Sequence, residues 1–381
     1  MAMDRLFHLM QEQGASDMFL TTNSAIHLKI KGQLVPVNQQ KMDQATILML
    51  LNEVVNGSRM LELERDNELN MGLSISGVGS FRLSVFKQRG SISAVIRYIP
   101  FEIPPFEDLG LPPILKDLIG QKRGLLLVVG ATGSGKSTTI ASMLNHRNKT
   151  QAGHILTLED PIEFLFRNER SIVNQREIGT DTDNLDVALK NALRQAPDCI
   201  LIGEIRDKET MSAALAYAQS GHLVVSTLHA NNSYRALNRV ISFYPLENRP
   251  ALLEDLASTL TAIVSQRLVN TLKGGRAPAV EIMLNTRHVS ELVEDGKISQ
   301  IKEAMEKSLA PGSQTFEQTL MSLIEAGVIT QDEALAQSDS PSNLYWLINN
   351  HAPATKNNAP APAPEPEKND GATFTEFTLD L

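Results

Sequence analysis

Between Gly124 and His229 the chain repeats one pattern, a short unbroken apolar run followed by a stretch with helical spacing. The runs are GLLLVVG, HILTLED, DCILIGE and HLVVSTLH; between them helices start at Lys136, span Leu185 to Arg194, and run through Ala218. Apolar strands separated by helices predict a parallel sheet covered on both faces. Residues 1–100 read differently. GSFRLSVFKQRGSISAVIRYIP alternates apolar and polar positions on both sides of Arg89-Gly90, as two half-buried antiparallel strands do. A helix over residues 4–13, strands in SDMFLTT and in IHLKIKGQLVPV with a break at Lys31-Gly32, and a helix from Asp43 to Asn56 complete a small α+β domain.

Pro100, Pro104, Pro105, Pro112 and Pro113 then deny residues 101–113 both helix and central strand, which predicts an interdomain linker. The α/β domain runs from Ile114 to Asn285, and residues 286–349 read as a small all-α subdomain. One of its helices starts at Thr330 with Glu333 three residues on, a capping box; another starts at Ser340 with Pro341 in its first turn. Residues 350–381, rich in Pro, Ala, Asn and acids, hold too little apolar area to fold and predict a disordered tail. Its end, TFTEFTLDL, sets Phe374, Phe377, Leu379 and Leu381 on a tether, which reads equally as a docking peptide or a frayed terminus.

One segment of this frame carries specific chemistry. Gly130-Ala131-Thr132-Gly133-Ser134-Gly135-Lys136-Ser137 fits G-x-x-x-x-G-K-[ST], follows the strand LLLVV and opens a helix. Glycines let backbone N–H groups converge on phosphates, and the helix N-terminus adds positive potential. Lys136 then reaches the β and γ phosphates of ATP and the Ser137 hydroxyl ligates Mg²⁺, with Thr138 completing the nucleotide-binding set.

Composition narrows the setting. The 35 Lys and Arg against 44 Asp and Glu give a formal charge of −9, so no nucleic-acid partner is expected from net charge. Cys199, alone, can form neither an internal disulfide nor a zinc site built on Cys pairs, which suits a reducing cytoplasm. The N-terminus lacks an export signal, and no apolar run approaches the roughly 20 residues a membrane helix needs. Membrane contact is therefore expected through partners, without direct insertion.

Ligands of open α/β sheets sit beyond the strand carboxyl ends, so acids there are the next candidates. Cys199-Ile-Leu-Ile-Gly203-Glu204 is a Walker-B pattern with glycine before the glutamate, and Glu204 is read as orienting Mg²⁺ or its waters. Glu159-Asp160-Pro161-Ile-Glu163 closes another strand; Glu163 is assigned to positioning and deprotonating the attacking water. A solvated acidic turn is the competing reading of that set. His222 and His229 bracket LVVSTL seven residues apart, an odd spacing that points them to opposite faces and disfavours a shared metal. Each is either a sensor of the γ-phosphate or of a neighbouring subunit, or a hydrogen-bonded structural residue. Arg82 and Arg97, in the paired strands of the first domain, are arginine-finger candidates; an edge-strand arginine paired with a carboxylate is the alternative.

With these residues in view the chain resembles the secretion-type hexameric ATPases that power type IV pili, and most nearly their retraction class, PilT and PilU. The resemblance spans residues 1–349 and rests on the P-loop, LEDPIEF, LRQAPDCILIGEIRD and GHLVVSTLHANN, in that order. It implies a PAS-like N-terminal domain joined to a RecA-like core and a ring of six subunits. It also implies that Arg82 and Arg97 approach the γ-phosphate from the N-terminal domain. Where PilT-type motors carry an AIRNLIR-like helix this chain reads His288-Val-Ser-Glu-Leu-Val-Glu294, which with APGSQTFEQTL and ALAQSDSPSNL resembles the PilU branch. That likeness implies an accessory role beside a PilT-type retraction ATPase, at an inner-membrane pilus platform protein. A single cysteine cannot make the four-cysteine zinc site of the assembly ATPases.

Overall fold

The protein is described by a computed structural model over residues 2–30, 32–75, 77–99 and 103–351. The sequence TFTEFTLDL and the expected tail from residue 352 on lie outside the described residues, while residues 350 and 351 belong to the last helix.

The first unit comprises α1 (Ala2–Glu12), β1 (Ala15–Thr21), β2 (His27–Ile30), β3 (Gln33–Pro36), α2 (Gln44–Asn52), α3 (Gly57–Asp66), β4 (Glu68–Ile75), β5 (Gly79–Gln88) and β6 (Ser91–Ile99). Its six strands form an antiparallel sheet in the order β3-β2-β1-β6-β5-β4. Alternation along β5 sends Phe81, Leu83 and Val85 into a core shared with Met3, Phe7 and Met10 of α1, and leaves Arg82 on the other face. The helix expected from Asp43 to Asn56 starts as expected but ends at Asn52, and a further helix, α3, follows it that was not expected. Asp43 caps α2 by accepting from the Thr46 amide at 2.8 Å, while Asn56 caps α3 by accepting from the Arg59 amide at 3.0 Å. Strand β4 was not foreseen, because Asn70 and Gly72 dilute its pattern and its edge position pairs it with β5 alone.

The prolines keep residues 103–113 out of helix and strand except for a 3₁₀ turn at Phe106–Leu109. This stretch is nonetheless anchored: Phe106 and Leu111 are buried with Leu115 and Met143 in the core of the second unit.

That unit comprises α4 (Ile114–Ile119), β7 (Gly124–Val129), α5 (Lys136–Thr150), β8 (Gly153–Glu159), β9 (Ser171–Glu177), α6 (Leu185–Ala192), β10 (Cys199–Glu204), α7 (Lys208–Gln219), β11 (Leu223–Leu228), α8 (Ser233–Ser242), α9 (Arg249–Thr259), β12 (Leu260–Asn270) and β13 (Arg276–Leu284). The sheet order is β13-β12-β7-β11-β10-β8-β9. The expected all-parallel sheet is corrected to a mixed one, because β12 and β13 form an antiparallel hairpin. Its turn is made by Gly274 and Gly275, both at positive φ. Apolar cores cover both faces, so β7, an interior strand flanked by β11 and β12, is wholly buried.

Helices α10 (Arg287–Glu294), α11 (Ile301–Glu306), α12 (Phe316–Glu325), α13 (Gln331–Gln337) and α14 (Pro341–His351) follow. Val289, Val293 and Ile301 of the first two join the core beneath the sheet, whereas Phe316, Leu320 and Leu344 pack against Val269 and Ala279 of the β12–β13 hairpin. The capping box expected at Thr330 is half formed. Thr330 accepts from the Glu333 amide, but the Glu333 carboxylate accepts from the Asn270 amide instead of returning to the cap. The reciprocal box is at Thr315 and Gln318. Among the described residues no helix is long and apolar enough to cross a membrane.

Candidate nucleotide site

The motif loop joins β7 to α5 at the carboxyl edge of the sheet. Two of its glycines are forced by close approach. A Cβ on Gly130 would stand 2.4 Å from Ser134 Oγ and 2.5 Å from Gln266 O; on Gly135, at φ +89°, it would stand 2.8 Å from Gln266 Nε2. Gln266 of β12 is the loop's brace: its Nε2 donates to Ser134 O at 2.9 Å, and its Oε1 accepts from Thr139 Oγ1 at 2.8 Å. Lys136 Nζ donates to Gly130 O and Ala131 O, both at 2.9 Å. Burial lowers the Lys136 pKa, and the nearby Glu204 and Glu163 carboxylates oppose that shift.

A cavity of about 780 Å³ opens beside the loop, with Thr132, Lys136, Ser137 and Thr138 on one wall and Glu159, Glu163 and Glu204 on the other. Gly203 has a steric reason to precede Glu204, since a Cβ there would press within 3.2 Å of Leu158 O as β10 passes β8. The Glu204 carboxylate is held from two sides. Arg206 Nε donates to one oxygen at 2.6 Å, and His229 Nε2 lies 3.1 Å from the other. Arg206 also approaches Asp160, at 3.9 Å. Glu159 ends β8 in a drier place: burial pushes its pKa up to about 6, although it accepts from Thr157 Oγ1 at 2.6 Å and Gln175 Nε2 at 3.3 Å.

The sequence candidates Gly133, Gly135, Lys136, Ser137, Thr138, Glu163, Glu204 and His229 therefore meet at one cavity. His222 does not. It precedes β11 at the amino edge of the sheet, with Nδ1 3.1 Å from Tyr217 O and its ring edge-on to Tyr217, which is a structural placement within this chain. Arg82 and Arg97 also lie away from the cavity lining, directly opposite each other on β5 and β6. Arg97 donates to Asp17 Oδ1 at 2.9 Å, but β6 lies between β1 and β5, so the edge-strand description is corrected.

Arg206, Gln266 and Glu159 are site residues that the sequence reading did not assign. A buried amide in the apolar run LTAIVSQRLVN, and an arginine two residues past the strand-end acid, were the available signals. The donor set suits Mg·ATP. Ser137 and Glu204 offer hard oxygen donors, and among the described residues no cluster of three His, Cys, Asp or Glu could cage a metal unaided. A magnesium ion here would share its coordination with phosphate oxygens and water.

The profile of the family described as Type II/IV secretion system protein matches residues 2–336. The chain is 43% identical over 349 residues to the type IV pilus ATPase PilU of Pseudomonas aeruginosa, covering 91% of each chain. It is 36% identical to the type IV pilus retraction ATPase PilT of the same organism, covering 87% of this chain and 96% of that one. The crystal structure of the pilus retraction motor PilT with bound ADP superposes with a TM-score of 0.84 at 38% identity, covering 90% of this chain and 99% of that one.

Proposed function

This chain belongs to the Type II/IV secretion system protein family, beside the PilT and PilU pilus ATPases, and within it we propose an ATP-hydrolysing motor that assists type IV pilus retraction. One observation carries the reading: the motif loop, Glu204 and Glu163 line a single cavity at the carboxyl edge of the sheet. The loop amides and the α5 N-terminus bind the phosphates, and Lys136 offsets their charge. Ser137 and Glu204 hold Mg²⁺, which supplies neutralisation of the β and γ phosphates when bound. Arg206 and His229 fix the Glu204 carboxylate for that task. Glu163 positions the attacking water and takes its proton.

Arg82 and Arg97 act on the site of an adjacent subunit in a homo-oligomer, with a ring of six as the assembly. A PilT-type retraction ATPase and the inner-membrane platform protein are its partners, and the base of the pilus machine on the cytoplasmic side is its place. The greater identity to PilU than to PilT favours the accessory role.

Mixing purified variants tests site and assembly together. Lys136→Ala and Arg97→Ala should each lose ATP turnover, and an equimolar mixture should regain part of it, because each ring then contains junctions with one intact lysine and one intact arginine. Unchanged turnover in Lys136→Ala would refute the site; a mixture no better than its components would refute the action of Arg97 across subunits.

A further inference from the structure

Adjacent residues of β12 point to opposite sides of the sheet. Gln266 faces the motif loop, so its neighbour Arg267 faces the C-terminal helices. There its guanidinium stacks 4.0 Å from the Phe316 ring centroid and donates to Gln337 O, to Asp339 Oδ1 and, at 3.1 Å, to Asn231 O. Three acceptors on its two terminal nitrogens, with an aromatic ring over its face, use the planar fork that distinguishes arginine from lysine. The second Asp339 oxygen accepts from Asn232 Nδ2 at 2.7 Å. Asp339 lies between α13 and α14, where Glu317, itself 2% exposed, accepts from Ser338 Oγ at 3.1 Å and from the Ser340 amide at 2.9 Å.

Asn231 and Asn232 end the short loop that begins at His229. Asn232 is fully buried, and its Oδ1 accepts from the Arg235 amide to cap α8. At its other end the loop presents His229 Nε2 to Glu204 Oε1 at 3.1 Å. A four-residue segment tethered at both ends has little freedom, so displacing one anchor moves the other.

We propose that Arg267 and Asp339 form a clasp that positions the His229 loop, and through it Glu204, so that helices α12–α14 govern the competence of the hydrolytic site. Both are positioning residues, acting through His229. The role in turnover rests on the hydrolytic reading of Glu204 given above; the positioning of the loop does not. Arg267, Asn231 and Gln337 line a smaller cavity with residues 130–134, but the motif loop has its own brace in Gln266, and the clasp is assigned to hydrolysis and not to nucleotide affinity.

The test uses the purified full chain with Asp339→Asn, which keeps the shape and removes the charge. Amide hydrogen exchange over residues 229–233 should accelerate about tenfold or more, with exchange over 130–137 unchanged. The kcat for ATP should fall about tenfold, a scale that small displacements of a catalytic group produce, while ADP affinity stays within about twofold. Exchange at 229–233 equal to the unsubstituted chain, or ADP affinity falling in step with kcat, would overturn the clasp. If Lys136→Ala hydrolyses ATP normally, the hydrolytic reading fails, and the exchange measurement still decides whether the clasp positions the loop. Should Asp339→Asn not fold by circular dichroism, Arg267→Lys, which keeps the charge and loses the fork, answers through the same measurements.

Discussion

Glu159 and Glu204 end neighbouring strands, yet their surroundings give them different work. Glu204 has two cationic or protonatable partners, whereas Glu159 has neutral donors and a half-buried position whose desolvation lifts its pKa to about 6. The folded state therefore binds a proton that the unfolded state, near pH 4.5, has already released. The burial of Glu159 carries no charge penalty below pH 4.5; the penalty grows as pH rises from 4.5 to 6 and levels off above 6 at about 2 kcal/mol, from ~1.4 kcal/mol per unit. Glu159→Gln should accordingly raise the urea midpoint at pH 7.5, with the gain vanishing by pH 4.5; a pH-independent difference would show that its charge is not what burial penalises. The sequence made Glu204 legible because an apolar strand ended on it. It chose Glu163 from the same set but gave no sign of the environment of Glu159, since that depends on Gln175, which the β8–β9 pairing brings beside it.

At the scale of elements, β12 shows why the reading of the sequence was uneven. Strands whose every residue is apolar, such as β7, announce themselves. In β12 the run breaks at Ser265-Gln266-Arg267, the three positions that serve a buried carboxylate, the motif loop and the C-terminal helices. Glu281, next door on β13, is 5% exposed and accepts from Ser233 and Ser265, and burial raises its pKa. Polar residues with such duties erase the periodicity that identifies a strand, and only the neighbouring chain reveals their purpose. The brace at Gln266 is separately testable. Gln266→Leu keeps the volume but leaves Ser134 O and Thr139 Oγ1 without their partner, at a cost of about 1–3 kcal/mol for each buried group. The urea midpoint should drop and nucleotide affinity should weaken together. Unaltered stability would mean that the loop holds itself.

For the whole molecule, the α/β class and the alternation of strand and helix were legible, because each apolar run is long enough to be buried on both faces. The hairpin that makes the sheet mixed was not, since its direction is set by a turn at Gly274-Gly275 and not by the strands themselves. The helices after Asn285 were readable as helices, but their packing depends on surfaces of β12 and β13 that were unseen. The arginine pair sits apart from the cavity of its own chain, so its proposed use requires a second subunit. Transmission of work then depends on how the antiparallel sheet of one subunit meets the nucleotide site of another.

On the proposed function, hydrolysis at this motif loop contributes work to retraction. The most direct measurement is single-pilus retraction against load in cells that retain the PilT-type partner and carry Lys136→Ala in this protein. Retraction under load should fall to the level of cells lacking the protein altogether. Retraction equal to that of cells with the unsubstituted chain would rule out a mechanical contribution from this site, and would leave the protein as a scaffold for the partner motor.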